Sequence, residues 1–351
     1  MFEKPILALV GLAAMATVAP QGAQAQQAAA YPHQVVTLVT HSSPGGGSDV
    51  FLREMSKHLG KYIKATFVVE NVQGGSGARA MSRLATAKPD GSVFYATTPT
   101  YIYTSLMSKP ANTYRDLEPL VNVFTDAEVI YTRVDGPFQS LKDVIAHAKE
   151  KRGRWGVANP ASLERMAAER LKQASGVQAA VVSHEGGGDM MINVLNGTLD
   201  IGVGEVQEVQ SQLEAKQIRV LATFSAEPLE TLPEVPTVKS LGYDVVARKF
   251  RGIAGPKGLP ADVIAAWEKA IPEVLENPEY KAAYTAANLR ADFIPHDEYA
   301  EFSSTYACDR SVVRMNAVPE PIPRSTVRSM STPDRSASRA PGTPVPFSQT
   351  G

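Results

Sequence analysis

Residues 35–59 of this chain read VVTLVTHSSPGGGSDVFLREMSKHL and decide its fold. The apolar, β-branched run at 35–39 is typical of a buried strand. Serines, a proline and three consecutive glycines then interrupt the apolar pattern, which predicts a turn. From Val50 onward apolar residues recur at helical spacing. The stretch is therefore predicted to form a strand, a glycine turn and a helix.

The start of that helix is a candidate anion site. Glycines let the main chain approach a guest closely, and a helix N-terminus offers free N–H groups and the positive end of a dipole. Both features favour a carboxylate or a phosphate. We expect Ser48 or Asp49 to cap the first turn with a side-chain oxygen. An ordinary strand–helix turn with flexible glycines explains the same residues, so this stretch alone leaves both interpretations open.

Length and composition indicate a globular protein. The 351 residues can hold two domains of ordinary size or one large one. A hydrophobic fraction of 44% and a charged fraction of 20% are not those of a disordered chain. The formal net charge of -1 gives no reason to expect nucleic acid or anionic lipid as a partner. Cys308 is the only cysteine, which excludes an intrachain disulfide and a cysteine-based metal cluster.

Residues 1–25 have the pattern of a signal peptide. Lys4 precedes an apolar stretch at 6–19, and Ala23-Gln24-Ala25 fits the small-x-small cleavage pattern. The apolar stretch is too short to span a bilayer. We therefore expect export, to the periplasm where the cell has two membranes.

Between the two ends of the chain, strand patterns alternate with helix patterns. Most predicted strands end in a polar or glycine-rich loop, an order typical of parallel sheets that bind ligands at the carboxyl ends of their strands. These loops are predicted at 42–49, 74–77, 97–100, 158–162 and 184–189. We expect Pro272 to kink or interrupt the helix predicted at 260–275. Residues 319–351, rich in proline, serine, threonine and arginine, are predicted to be disordered.

Taken in order, several of these segments resemble the Bug/TctC family, the extracytoplasmic solute receptors of tripartite tricarboxylate transporters. The similarity extends over residues 31–318. Each piece is common alone, and it is their order and spacing that is specific. The pieces are Tyr31-Pro32, Ser43–Asp49, Val69–Asn71, Gly74–Gly77, Lys88–Gly91, Gly186–Gly188, Asn196–Asp200, Leu232–Thr237 and Gly252–Pro260.

The resemblance implies an α/β architecture, the type II periplasmic-binding-protein fold, with two α/β domains, two crossovers and a ligand cleft between them. It places domain 1 at 31–125 and 222–318, and domain 2 at 126–221. It also implies that the ligand is a small carboxylate, either a di- or tricarboxylate or an aromatic acid. The implied partners are the membrane subunits of a tripartite tricarboxylate transporter. We expect a monomer that binds no nucleic acid, metal or cofactor.

The resemblance also carries ligand-binding positions over to loops of both domains. In domain 1 two loops, Ser42–Asp49 and Thr97–Thr100, are implied to hold one carboxylate through backbone N–H groups, hydroxyl groups and water. In domain 2 the positions lie in a loop at a helix start and at two further strand ends. The predicted ligand-binding residues are Ser42, Ser43, Gly45, Gly46, Gly47, Ser48, Asp49, Thr97, Thr98, Thr100, Asn159, Ala161, Ser162, His184 and Glu205.

Several of these residues have competing interpretations. Threonines at a strand end, such as Thr97, Thr98 and Thr100, are common without function, and His184 is more often a satisfied surface or core histidine than a ligand. Asp49 is more often a helix cap than a ligand contact, because a carboxylate facing a carboxylate is unfavourable. Glu205 either binds an ammonium or hydroxyl group of a ligand or is simply solvated.

The sequence gives little support to an enzyme. The first glycine turn lacks the lysine of a phosphate-binding loop, and Gly75–Ala80 matches the dinucleotide fingerprint only in part. His184-Glu185 lacks the second histidine of a zinc helix. A serine triad on Ser43 or Ser48 stays open, although no base is indicated, and we predict no catalytic residue. Two alternative functions remain: a periplasmic sensor that docks on a histidine kinase, and a hydrolase or isomerase of small acids.

Overall fold

A computed structural model describes residues 31–308. The predicted signal peptide at 1–25 and the predicted disordered segment at 319–351 lie outside the described residues. Within the described range, none of the helices has the length and apolar content needed to cross a bilayer.

Strands and helices alternate through most of the described chain, as predicted. The strands are β1 (Val35–Thr40), β2 (Thr66–Asn71), β3 (Val93–Thr97), β4 (Leu117–Arg133), β5 (Gly153–Val157), β6 (Ala179–Ser183), β7 (Ile201–Glu205), β8 (Ile218–Thr223), β9 (Arg248–Pro256) and β10 (Arg290–Ile294). The α-helices are α1 (Gly47–Ile63), α2 (Ala78–Ala85), α3 (Pro99–Ser108), α4 (Leu141–Glu150), α5 (Leu163–Ser175), α6 (Gly187–Leu195), α7 (Val206–Glu214), α8 (Ala261–Leu275), α9 (Pro278–Ala286) and α10 (His296–Cys308).

The long strand β4 passes through two groups of strands. Its residues 117–127 pair with β9, and its residues 128–133 pair with β7 and β8. Counting outward from β4, the strands on one side are β9, β3, β1 and β2, and β10 also pairs with β4. On the other side they are β7, β5 and β6. We call the first group with its helices the first lobe and the second group with its helices the second lobe. β8, which contains residue 222, belongs to the second lobe, and the chain returns to the first lobe with β9.

Each lobe has its own apolar core. In the first lobe α1 buries the face that carries Phe51 and Met55 in a cluster with Trp267 of α8. The rings of Phe94 and Trp267 lie 4.6 Å apart, which fixes α8 against the sheet. In the second lobe the core surrounds Trp155 of β5. Both cores hold their parallel strands with the carboxyl ends at one edge.

Two local predictions are wrong. Helix α1 begins at Gly47, and its N-cap is Gly46, which makes no side-chain cap. Ser48 and Asp49 are therefore inside the helix, and the Asp49 carboxylate turns back to accept a hydrogen bond from the Gly45 N–H at 2.9 Å. Pro272 lies in the last turn of α8, which runs on to Leu275, so the predicted interruption is wrong and a kink stays a prediction. Helices α3 and α7 were not predicted.

Candidate functional site

Parallel pairing brings the predicted loops of each lobe to one edge. In the first lobe β1 pairs with β3, and the Tyr95 hydroxyl lies 2.7 Å from His41 Nδ1 just beyond the end of β1. In the second lobe β5 pairs with both β6 and β7. The His184 N–H after β6 donates to the carbonyl oxygen of Ala158 after β5, at 2.8 Å. Each lobe therefore presents a rim of strand ends and helix starts.

The two rims touch through glycines. The Asp189 N–H lies 3.4 Å from Ser43 Oγ across the lobes. A Cβ atom at Gly186 would lie 2.5 Å from the Ser43 nitrogen, and one at Gly188 would overlap the Pro44 carbonyl oxygen. The backbones approach this closely only because these positions have no side chain.

The first turn of α1 also contacts the start of α7. The Gly47 N–H donates to Glu208 Oε2 at 3.1 Å, and the Gln207 side-chain amide donates to the Gly47 carbonyl oxygen at 3.1 Å. Glu208 thus uses one of the free N–H groups at the N-terminus of α1. A carboxylate oxygen is the kind of acceptor that the sequence predicts for this position.

Beneath this contact lies a set of buried charged residues that we call the interlobe charge cluster. All of its members are buried, and five are acids while two are bases. The cluster consists of Asp126, Glu128, Glu164, Glu205, Glu208, Lys249 and Arg251.

Strand β9 supplies both bases. The Lys249 ammonium bonds Glu164 Oε1 at 2.5 Å, contacts Glu205, and lies 3.3 Å from Glu128 Oε1. The Arg251 guanidinium donates to Asp126 Oδ2 from Nε at 2.9 Å and from Nη2 at 2.8 Å. Its Nη2 also lies 3.2 Å from Glu205 Oε1. Two cations of the first lobe therefore pair with acids of the second lobe, and Arg251 also pairs with Asp126 of its own lobe.

The carboxylates of Glu128, Glu164 and Glu205 have oxygens within 4.8 Å of one another, a spacing that a metal ion can accept. The Lys249 ammonium contacts all three. The arrangement therefore fits an ammonium group better than a metal ion.

Burial sets the protonation of the cluster. Burial, followed by the Glu164 carboxylate, raises the pKa of Glu208 to about 8 and the pKa of Glu128 well above its usual value. Burial also favours the neutral form of Glu164, but the Lys249 ammonium outweighs it and lowers the pKa of that carboxyl. Burial, and next the Lys249 ammonium, lower the pKa of His41 to about 4. Near pH 7 we therefore expect Glu128 and Glu208 to be protonated and His41 to be neutral.

Asp49 organises the glycine loop from behind. Besides the Gly45 N–H, its carboxylate accepts hydrogen bonds from Arg53 Nε at 2.9 Å and from Asn71 Nδ2 at 2.9 Å. Asn71 Nδ2 also donates to the Ser42 carbonyl oxygen at 3.0 Å. Burial acts to raise the pKa of Asp49, but these hydrogen bonds hold it below its usual value. These bonds fix the shape of the loop.

Replacing Asp49 with alanine should lower the free energy of unfolding by about 1–2 kcal/mol, because the Gly45 N–H and the Asn71 amide lose their acceptor in two partly buried hydrogen bonds. Urea denaturation at pH 7 measures the loss. Since the pKa of Asp49 is lowered in the folded state, its contribution is present above 3.8 and is lost as the pH falls through the lowered value. A difference between wild type and variant that stayed constant down to pH 2 would contradict this role.

The other predicted residues of the first lobe are engaged within it. Thr97 Oγ1 lies 2.7 Å from the Tyr299 hydroxyl, and Thr98 Oγ1 caps α3 by accepting from the Thr100 N–H at 3.3 Å. Thr100 is buried beside them. Ser48 Oγ lies 3.5 Å from Arg251 Nη1. The second loop is therefore a strand–helix junction whose hydroxyl groups support the rim.

In the second lobe the predicted residues occupy the facing rim. Asn159 and Ala161 are buried in the loop between β5 and α5, and Ser162 caps α5 by accepting from the Arg165 N–H at 3.2 Å. His184 is half-buried after β6. Glu205 is 2% exposed and ion-paired, so the interpretation of a solvated Glu205 is wrong.

Sequence reasoning missed most of the interlobe charge cluster. A signal was present in two strands: Asp126 and Glu128 alternate with apolar residues in β4, and Lys249 and Arg251 alternate with apolar residues in β9. A spacing of two places both charges of each pair on one face of a strand. Charged residues repeated on one face of an otherwise apolar strand indicate a buried ionic site.

Comparison with known proteins places the chain among receptors. A family model described as "Tripartite tricarboxylate transporter family receptor" (TctC) matches residues 51–310. Protein BugT of Bordetella pertussis is 26% identical over 292 residues, covering 80% of this chain and 87% of BugT. A UPF0065 protein of Cupriavidus necator is 24% identical over 300 residues, covering 85% of this chain and 89% of the relative.

Solved structures confirm the predicted α/β periplasmic-binding-protein fold. R. palustris Rpa4515 with adipate superposes with a TM-score of 0.75 at 21% identity and covers 82% of this chain and 98% of its own. MatC (Rpa3494) from Rhodopseudomonas palustris with bound malate gives a TM-score of 0.70 at 19% identity, with 82% and 99% coverage.

Proposed function

Because this chain belongs to the TctC family of tripartite tricarboxylate transporter receptors, we propose that it captures a small carboxylate between its two lobes and delivers it to the membrane subunits of such a transporter. It is a solute-binding protein of a periplasmic receptor family and not an enzyme, which sets aside the hydrolase hypothesis. The observation that carries the proposal is the meeting of Gly45–Gly47, at the start of α1, with Gly186–Gly188, at the start of α6.

The chemistry of that meeting suits an anion. The loop at the start of α1 has no side chains, and the helix dipole adds positive potential there. The Gly45 and Gly46 N–H groups donate within the first lobe, to Asp49 and to the Ser43 carbonyl oxygen, whereas the Gly47 N–H donates to the opposite lobe. Glu208 already uses the Gly47 N–H from the opposite lobe, which supports a carboxyl group as the natural acceptor at this position. In our proposal the carboxylate of the ligand accepts a hydrogen bond from the Gly47 N–H in the open form, and the second lobe then closes over the ligand.

The relatives support a carboxylate as the ligand class. Rpa4515 was solved with adipate and MatC with malate. We extend this class to the present chain, with the two crossings between the lobes, within β4 and between β8 and β9, acting as the hinge region. We also propose that residues 1–25 direct export, so that capture takes place in the periplasm.

A thermal-shift series with C4 to C6 carboxylic acids tests the ligand class. An acid present at one hundred times its dissociation constant should stabilise the chain by roughly 2.7 kcal/mol, because it binds only the folded state. The diamide of the same acid has the same length without the charge and should give no shift. If neither the acids nor the diamides shift a well-folded sample, the proposed ligand class is wrong.

Gly46→Val tests the location. The Gly46 backbone has φ -79° and ψ 162°, which valine adopts readily. A Cβ atom there would overlap Ser42 Oγ and lie 3.3 Å from the Gly187 nitrogen. The variant should therefore fold but lose the shift given by the acid. A shift equal to that of wild type would place the ligand elsewhere.

A further inference from the structure

The contact between α1 and the second lobe has an excess of acid. Five carboxyl groups of the interlobe charge cluster face two cations, and all seven side chains are buried. His41 beside them is neutral near pH 7, because burial and Lys249 lower its pKa. Even with Glu128 and Glu208 protonated, three carboxylates remain against two cations. A dicarboxylate brought to this place would add negative charge to a region that already has too much.

Two carboxyl oxygens at this contact have no hydrogen-bond partner within residues 31–308: Glu205 Oε2 and Glu208 Oε1. Both side chains border Gly47. A Cβ atom at Gly47 would overlap Glu205 Oε2, and the other oxygen of Glu208 accepts the Gly47 N–H. Buried polar atoms without partners are costly, so a cationic donor that reaches them gains affinity, and Glu208 gives up its proton when that donor binds.

The residues already present do not supply that donor. The Lys249 ammonium has three N–H donors, and it contacts one oxygen, Oε1, of each of three carboxyl groups. These groups belong to Glu128, Glu164 and Glu205. The Arg251 guanidinium is directed to Asp126 and to Oε1 of Glu205. The cluster therefore binds one ammonium group through part of its carboxylates. It leaves Glu205 Oε2, beside Gly47, and Glu208 Oε1, beside Gly187 and Gly204, without a donor.

We propose that the ligand carries a cationic N–H group, such as an ammonium, beside its carboxylate, and that Glu205 and Glu208 bind this cationic group. The inference rests on the proposed function, in which the carboxylate of the same ligand lies at Gly45–Gly47. The ligand class is thereby narrowed from small carboxylic acids to amino-substituted ones. The raised pKa of Glu208, about 8, agrees with a carboxyl group that lacks a counter-charge until the ligand arrives.

Calorimetry on the purified wild-type chain at pH 7 tests the inference with three matched pairs: succinate and aspartate, glutarate and glutamate, adipate and 2-aminoadipate. We expect the amino member of the best-binding pair to bind at least tenfold more tightly, because the plain acid leaves the two buried oxygens unpaired. 1,4-Diaminobutane, which has the cations but no carboxylate, should not bind.

The outcomes separate the two proposals. Plain acids that bind as tightly as their amino derivatives, or more tightly, overturn the cationic group and leave the carboxylate receptor intact. Absence of binding by all six acids overturns both. Binding of the diamine in place of every acid also overturns the proposed function.

Glu208→Gln tests the residue itself, with Glu214→Gln as the matched control. Glu214 lies on the same helix, α7, and is exposed. Glu208→Gln should reduce the affinity for the amino acid at least tenfold more than it changes the affinity for the plain acid, whereas Glu214→Gln should change neither. An equal loss for both ligands would overturn a specific role in binding the cation. The wild-type comparison of the pairs decides the inference even if the variant fails to fold.

Discussion

Arg251→Met should lower the free energy of unfolding by about 3–5 kcal/mol, the largest loss of stability that we expect from one polar substitution in this chain. The side chain is fully buried and holds Asp126 with two hydrogen bonds and Glu205 with an ion pair. Methionine fills much of the same space but leaves the Asp126 carboxylate buried without a counter-charge. Urea denaturation at pH 7 measures the loss.

Arg248→Met is the matched control. Arg248 lies on the same strand, β9, but its side chain is 71% exposed and its pair with Asp292 is 3.4 Å long. An exposed pair of this kind contributes less than about 1 kcal/mol. Equal losses for the two variants would contradict the importance of burial. Adding Asp126→Asn to Arg251→Met should restore part of the stability, because it removes the uncompensated charge.

Gly188→Ala should weaken ligand binding about 100-fold without lowering stability, which is the largest functional effect that we expect. Its Cβ would overlap the Pro44 carbonyl oxygen of the first lobe, and backbone cannot rotate away as a side chain does. If the overlap lowers the fraction of molecules in the closed form from near unity to about 1%, the apparent affinity for the ligand falls about 100-fold. Within the second lobe alanine is favourable, because Gly188 lies in the first turn of α6 and alanine favours helix by up to about 1 kcal/mol.

Ile192→Ala controls for changes in α6 itself. Ile192 lies on the same helix and is 63% exposed. Calorimetry with the best-binding acid should give wild-type affinity for Ile192→Ala and a strongly reduced affinity for Gly188→Ala. Small-angle scattering in the presence of the acid should show a larger radius of gyration for Gly188→Ala alone. Wild-type affinity in Gly188→Ala would mean that binding does not require the two rims to meet.

The sequence predicts the parts of this protein that depend on local physics. The strand β1, the glycine turn and α1 follow from residues 35–59, because hydrophobic periodicity and turn chemistry act over a few residues. Parallel pairing then brings the loops to one edge, so that glycines predicted to lie near a ligand do lie at the contact between the lobes. The capping role predicted for Ser48 or Asp49 is wrong, since α1 begins at Gly47 and both residues lie in its first turn.

The interlobe charge cluster depends on tertiary structure and was not predicted. Asp126 and Arg251 are 125 residues apart, and only the pairing of β4 with β9 brings them together. The hydrogen-bond partners of hydroxyl groups also depend on tertiary structure and were not predicted. Thr97 was a candidate ligand contact, but its hydroxyl bonds Tyr299, which is 202 residues away. Such partners are set by packing, which local patterns do not contain.

The most direct test of the central claim is a crystal structure of the chain grown with the acid that gives the largest thermal shift. We predict one acid molecule between the lobes, with a carboxylate oxygen accepting from the Gly47 N–H at the glycine loop Gly45–Gly47 and with Gly186–Gly188 facing it. Glu208 would then have released the Gly47 N–H. A molecule bound on one lobe only, for example in the surface groove of about 650 Å³ lined by Glu70, Arg79 and Arg83, would contradict the claim that this protein binds its ligand between two glycine rims.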